Sequence, residues 1–290
     1  MILSNYFIII IYVFILAYMP LSIFQLYRLF LLIFDNRRYE NAENENAENY
    51  NKRKVITLLV TNGENPNVAS KIIKNIIKYR IKENQIFVIK EYYDKNKYGC
   101  KEIIVPKEYE TKRKSRTKER ALQYAVEWLK LNKFINKNTF LLHLDDDSVV
   151  DKGYIQYILK MKQDAGQGSI RLKNYGKHLF STLADMVRPS DCDIYCEYFN
   201  KRNKPKAVHG EGLVIRSDIE YKIGWDYSTY CGEDFIMGQK ISVNGFKFGY
   251  IPFNIYITPP LNVRDFYKQR RRWMYGVLWS LNILPDKKIT

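Results

Sequence analysis

Leu141-Leu142-His143-Leu144-Asp145-Asp146-Asp147-Ser148-Val149-Val150 places three consecutive carboxylates at the end of an apolar run, Thr139 to Leu144, that reads as a buried strand. Like charges in a row repel one another, so folding alone gives no reason for them. In open α/β sheets ligands bind just outside the carboxyl ends of strands, and alternate side chains of an extended segment point the same way. Asp145 and Asp147 are therefore expected to converge on one object while Asp146 faces elsewhere. A divalent cation carrying a diphosphate is such an object. Mg2+ or Mn2+ takes one or two carboxylates and fills its remaining positions with phosphate oxygens and water. The other reading is a solvated acidic turn that caps the following helix through Ser148 or Asp151.

Working upstream, Val55 to Val60 is an unbroken β-rich run that ends at Thr61. Asn65 as N-cap with Pro66 at the first helical position starts a helix, and Val68, Ile72, Ile73, Ile76 and Ile77 recur at helical spacing. Ile86 to Ile89 is a second strand leading to Glu91, and Ile103 to Val105 a third. Thr117 to Phe134 is an amphipathic helix with Ala121, Leu122, Ala125, Trp128 and Leu129 on one face. Strands alternating with helices predict an α/β fold with a mostly parallel central sheet. The loop from Lys107 to Arg120 holds seven basic residues. A charge run is commonly a solvated face, but Lys118 and Arg120 stand near a helix N-terminus, which attracts anions.

Downstream, Gly153 to Met161 reads as a helix, Gln167 to Leu172 as a strand, and His178 to Val187 as a helix closed by Pro189. Ala207 to Arg216 reads as a glycine-punctuated strand in which Gly210 permits close backbone approach to a ligand. His209 within it is read as a core histidine rather than a ligand. Glu233 and Asp234 open a helix that runs to Asn244 and stops at Gly245. Acids in a first helical turn serve as dipole partners, or here as a general base beside a substrate hydroxyl. In Gln269-Arg270-Arg271-Arg272-Trp273, helical spacing puts Gln269, Arg272 and Trp273 on one side. Arginine binds phosphate in a fork and an indole stacks on a sugar. A basic amphipathic helix lying on a membrane fits the same residues.

The chain has 290 residues, 46% of them hydrophobic and 15% aromatic, which excludes a disordered protein. A formal charge of +16, from 47 Lys+Arg against 31 Asp+Glu, calls for an anionic partner. Cys192 and Cys196 are four apart and share a helix face, but no second cysteine pair completes a zinc site. Free thiols in a reducing compartment are the expectation. Residues Tyr6 to Phe34 are almost wholly apolar and long enough to span a bilayer, best over Tyr6 to Phe24. A buried hairpin of two short core helices is the alternative. No Lys or Arg precedes that run and several follow, so the expected anchor is single-pass with the bulk of the chain cytoplasmic. The organisation that results is an anchor over 1–38, a polar linker over 39–54, a catalytic domain over 55–260 and an interfacial helix and tail over 261–290.

Asp145-x-Asp147, Glu233-Asp234 and Gln269-Arg270-x-Arg272-Trp273, in that order, resemble the family 2 glycosyltransferases of the GT-A fold across roughly Val55 to Gly276. The resemblance implies that Asp145 meets the nucleotide or donor sugar, that Asp147 with Asp145 holds Mg2+ or Mn2+, and that Asp234, beside Glu233, deprotonates the acceptor. Gln269, Arg270, Arg272 and Trp273 then shape the diphosphate and acceptor side with Gly210, while Thr61, Glu91, Lys118 and Arg120 line the nucleotide-sugar side. Val105-Pro106, Tyr109, Thr111-Lys112, Arg120-Ala121-Leu122-Gln123-Tyr124, Gly166-Gln167-Gly168 and Leu183-Ala184-Asp185 look like the egghead-type β-1,4-mannosyltransferases, which use GDP-mannose and a glycolipid. That group carries Asp-Glu-Glu where this chain has Asp145-Asp146-Asp147, a shorter reach to the metal. The donor expected is GDP-mannose or UDP-glucose, and the acceptor a lipid or glycolipid.

Two other readings stand beside this one. A processive polysaccharide synthase shares Gln-x-x-Arg-Trp but needs several C-terminal spans, and Val277 to Leu284 is too short to cross. A basic, membrane-tethered nucleic-acid-binding protein explains the charge but not the aspartates, and no nucleic-acid motif is present; nucleic acid is therefore not an expected partner.

Overall fold

The apolar run after Arg53 forms strand β1 (Lys54–Val60), an inner strand of an eight-stranded sheet among the described residues in the computed structural model of the chain. The structure describes residues 11–13, 15–16, 18–20, 22–24, 26–27, 30, 53–82, 84–173, 179–206, 208–229 and 231–283. Contacts divide the chain into two units, residues 1–46 and 47–290. In the first unit the described residues are helical and expose apolar side chains, among them Ile11, Leu16, Ile23 and Phe30. Among the described residues no helix is long and apolar enough to cross a membrane. Of the expected span Tyr6 to Phe24, residues 6–10, 14, 17 and 21 lie outside the described residues, as does the linker 39–54 up to residue 52.

In the second unit, helix α1 (Pro66–Lys78) follows β1 and buries Ala69, Ile72, Ile73 and Ile76. Val68 and Ile77, expected on that stripe, flank it and stay exposed. Strands β2 (Asn84–Glu91) and β3 (Lys101–Val105), helix α2 (Thr117–Leu131) and strand β4 (Thr139–Asp145) complete a half whose strands are all parallel. Helix α2 seals one face with Ala121, Leu122, Ala125, Val126 and Leu129, each buried side chain of leucine or valine size contributing about 1.5–3 kcal/mol.

The second half is mixed. Strands β5 (Val149–Val150), β6 (Ala165–Leu172), β7 (Val214–Arg216) and β8 (Phe248–Ile257) give the overall order β3-β2-β1-β4-β7-β6-β8-β5. Here β7 runs antiparallel to both β4 and β6, and β5 antiparallel to β8. The expected strand over Ala207 to Arg216 shrinks to its last three residues. Gly212 adopts φ +70° and receives Tyr154 Oη on its carbonyl at 2.5 Å, so the preceding residues turn instead of extending.

Helix α3 (Lys152–Ile158) packs on β8, and a helical run, α4 (Leu179–Asp185), α5 (Val187–Asp191), a π-helical turn (Cys192–Cys196) and α6 (Glu197–Lys201), covers β6. Pro189 does not close this run as expected. It sits in the first turn of α5, where its missing N–H leaves no helical bond unmade. Helices α7 (Ser217–Ile223), α8 (Glu233–Val243) and α9 (Val263–Ser280) complete the second unit.

Candidate active site

Parallel pairing sets Val60 opposite Asp145, so the two chains leave β1 and β4 side by side at their carboxyl ends. Thr61 Oγ1 consequently donates to Asp146 Oδ2 at 3.1 Å. Asp146 is thus turned toward β1, as period-two alternation requires. The turn itself is closed by buried Ser148, whose hydroxyl donates to the Asp145 carbonyl and accepts from the Asp145 amide, both at 2.9 Å. Asp151 caps α3 by accepting from the Tyr154 amide at 2.9 Å. The capping reading therefore holds for Asp151 alone.

A single ammonium joins the aspartate strand to the later acidic pair. Lys118, in the first turn of α2, donates to Asp145 Oδ1 at 2.6 Å and lies 3.7 Å from Glu233 Oε1. Burial opposes its charge, but Asp145, Glu233 and Asp234 together hold Lys118 above the ordinary lysine range. A Cβ at Gly210 would stand 2.8 Å from Lys118 Nζ and 3.4 Å from Asp234 Oδ2. A side chain there would push the lysine ammonium away from the carboxylates it joins.

Asp147 and Asp234 are both pushed up to about 7. For Asp147 the causes are burial and then the charges of Asp145, Glu211 and Asp146, opposed by Arg188. For Asp234 burial leads, followed by the neighbouring Glu233, with Lys118 opposing. Both acids open α8, whose N-terminal dipole favours anions, yet for Asp234 burial and like charge win. Glu211 behaves oppositely. Although burial works against it, Arg188, His209 and Lys118 keep it ionised, and Arg188 Nη2 donates to its Oε1 at 2.8 Å.

Arg188 also lies over the Trp273 ring, 4.8 Å from its centroid, with Arg270 at 4.5 Å. Arg270 donates to Asp185 Oδ1, so α9 is tied to α4 through its Gln269-Arg270-x-Arg272-Trp273 segment. Gln269 Oε1, Thr182 Oγ1 and Asp185 Oδ2, on these two helices, are buried polar atoms without a hydrogen-bond partner. Arg272 is exposed. Helix α9 reaches the acidic pair by close backbone contact: a Cβ at Gly276 would meet the Cys231 carbonyl oxygen at 2.4 Å.

Arg120 and Glu91 form an ion pair at 2.6 Å, and Arg120 also donates to the Tyr109 carbonyl at 2.9 Å. Their charges answer each other at the end of β2. Sequence reading passed over Glu211 and Arg188. Glu211 stands between the two glycines of His209-Gly210-Glu211-Gly212, and Arg188 follows Asp185 by one helical turn, ordinary spacings that mark neither.

The profile of glycosyl transferase family group 2 matches residues 140–289, from the aspartate strand through α9. The chain belongs to this family. It is 29% identical over 235 residues to the β-1,4-mannosyltransferase egh of Drosophila melanogaster, covering 76% of this chain and 51% of that protein. To the β-1,4-mannosyltransferase bre-3 of Caenorhabditis elegans it is 27% identical over 191 residues, 63% of this chain and 42% of that one. The chain thus spans about half the length of the curated relatives it matches. Its fold is shared with the mannosyltransferase PcManGT of Pyrobaculum calidifontis, solved with GDP-Man and Mn2+, at a TM-score of 0.56 and 14% identity over 92% of this chain and 75% of that one.

Proposed function

We propose that the protein transfers a hexose, mannose or glucose, from a nucleotide-diphosphate sugar to a hydroxyl of a lipid-linked or glycolipid acceptor, with inversion at the anomeric carbon. One observation carries this reading. Acids far apart in the chain, Asp145 and Glu233, meet at the Lys118 ammonium beside a half-buried Asp234 whose carboxyl is pushed up to about 7. A base poised near neutrality is what abstraction of an alcohol proton requires.

The donor atoms fit a hard divalent cation. Asp145 and Asp147 offer only carboxylate oxygen, and burial and then like-charged neighbours hold Asp147 partly protonated, the second of which a cation offsets. Asp147 and Asp145 would hold Mg2+ or Mn2+. When bound, the ion would neutralise charge on the departing diphosphate.

Asp234 accepts the acceptor proton as the hydroxyl oxygen attacks the anomeric carbon and the sugar–phosphate bond breaks. Lys118 and Arg188 supply fixed positive charge beside the leaving group, the electrostatic preorganisation that commonly dominates such catalysis. Trp273, flanked by Arg188 and Arg270, would set an aromatic and cationic wall beside the acceptor. The relatives' names, β-1,4-mannosyltransferases, support mannose as the sugar; the donor proposed is GDP-mannose, with UDP-glucose the alternative. Membrane attachment through the N-terminal apolar segment, over 1–38, is part of the proposal; it is supported by the exposed apolar side chains among its described residues and by the basic residues that follow. Residues 55–260 would then form the catalytic domain on the cytoplasmic side.

Membranes carrying the protein are incubated with labelled GDP-mannose, UDP-glucose and other sugar nucleotides, with and without EDTA. Label entering lipid only without EDTA is the expected result. Transfer to no acceptor from any donor overturns the proposal.

A further inference from the structure

Cys192 and Cys196 begin and end the π-helical turn between α5 and α6. A π-turn carries more residues than an α-turn, is rare, and often marks a functional site. It brings residues four apart back to nearly the same face. Both cysteines are reduced and almost wholly buried, 3% and 4% exposed.

The sequence offered no second cysteine pair, but the fold supplies a third ligand from another segment. His209 Nε2 lies 3.1 Å from Cys192 Sγ. The two sulfurs and a ring nitrogen of His209 all fall within 4.8 Å of one another. A tetrahedral Zn2+ with bonds of about 2.0–2.3 Å spaces its ligand atoms roughly 3.3–3.8 Å apart. Small side-chain movements close the remaining difference.

The rest of the imidazole is fixed from behind. His209 Nδ1 sits 2.6 Å from Gln167 Nε2, 3.2 Å from the Glu211 carbonyl oxygen and 3.8 Å from Glu211 Oε2. Such outer contacts orient a metal-binding histidine and aim its other nitrogen at the ion. Ligation through Nε2 places the ring proton on Nδ1, where the Glu211 carbonyl accepts it and the Gln167 amide, a donor that Nδ1 otherwise accepts from at 2.6 Å, turns aside. Two sulfurs and an imidazole are soft and borderline ligands, unlike the all-oxygen set at Asp145 and Asp147, and they select Zn2+ over Mg2+ or Mn2+.

We propose that Cys192, Cys196 and His209 form a Zn2+ site distinct from the carboxylate site, with its fourth position left to water. Binding releases the thiol protons. The ion would pin the helical run α4 to α6 to the segment that carries Gly210 and Glu211, so it would brace the acceptor side without touching substrate.

The full chain is stripped with EDTA and titrated with Co2+, whose thiolate complexes have a charge-transfer absorption. About one Co2+ per chain with that band, displaced by Zn2+, is expected, in keeping with a single three-ligand site. The band is lost in Cys192→Ser and in Cys196→Ser. It persists in Asp147→Asn and in a Cys100→Ser/Cys231→Ser double variant. Absence of the band in the native chain, or its survival in Cys192→Ser, overturns the proposal. A second measurement on the native chain does not depend on any variant folding. Zn2+ should protect Cys192 and Cys196, but not Cys100 or Cys231, from alkylation read by mass spectrometry. Equal alkylation with and without Zn2+, or ready closure of a Cys192–Cys196 disulfide in its presence, counts against the site.

Discussion

Lys118 holds Asp145 at 2.6 Å across 27 positions of sequence. The same ammonium faces Glu233, so one cation offsets carboxylates from two motifs. Removing it makes the pocket more negative, which favours a bare metal ion and disfavours a diphosphate. Lys118→Met is expected to raise Mn2+ affinity several-fold in the nucleotide-free protein and to lower sugar-nucleotide affinity measured with Mn2+ saturating. Calorimetric titration of both ligands checks it, and parallel changes of the same sign would refute the assigned role.

Asp234→Asn keeps the side chain's shape and removes its basicity. General-base assistance is worth about 10²–10⁴-fold in rate, and turnover is expected to fall by that order while donor binding stays near the native value. Undiminished turnover would move the base elsewhere.

The pH profile follows from the same carboxyl. As the proposed base Asp234 would act ionised, and its position near 7 means the ionised fraction falls about tenfold for each pH unit well below that. The acid limb of kcat/KM should therefore lie near pH 7. Glu233 helps to raise Asp234, so Glu233→Gln should carry that limb to lower pH. A limb that stays put, or moves to higher pH, contradicts the assignment.

Asp147 is raised by burial and then by its acidic neighbours, and a bound cation opposes both by favouring the charged carboxylate. Chelation should abolish turnover, and added Mn2+ or Mg2+ should restore it. In Asp147→Asn, restoration should require far more metal or fail. Full activity of that variant in EDTA would remove the cation from the reaction.

Gly276 meets the Cys231 carbonyl with no room for a Cβ. Alanine improves helix propensity by about 1 kcal/mol, but overpacking against fixed backbone costs roughly 1–3 kcal/mol. Gly276→Ala should lower the melting temperature by a few degrees and reduce turnover. Unchanged melting and turnover would show that α9 can shift freely.

The first half of the catalytic unit was legible because its signals are local. Val55–Val60 and Phe140–Leu144 are buried apolar runs, and α1 starts at Pro66 as expected. The second half is legible only in part. Strand β8 contains Gly249, Pro252 and Asn254, which break any simple period, and β7 is too short to announce itself. At the site, the aspartates and Gln269 to Trp273 stand out as clusters of one chemical type. Glu211 and Arg188 do not, because what distinguishes them is each other, and a pairing across the fold leaves no mark on either sequence neighbourhood. His209 reads as a core histidine in the sequence, since its sulfur neighbour Cys192 lies 17 residues earlier.

The absence of a side chain at Gly276 has a practical consequence. A terminal helix exchanged among related chains would seat against the loop before Glu233 only if its residue at that point is also glycine. Chimeras made to alter acceptor choice by swapping Val263–Ser280 should thus be chosen by what occupies this single contact before any comparison of their aromatic or basic residues.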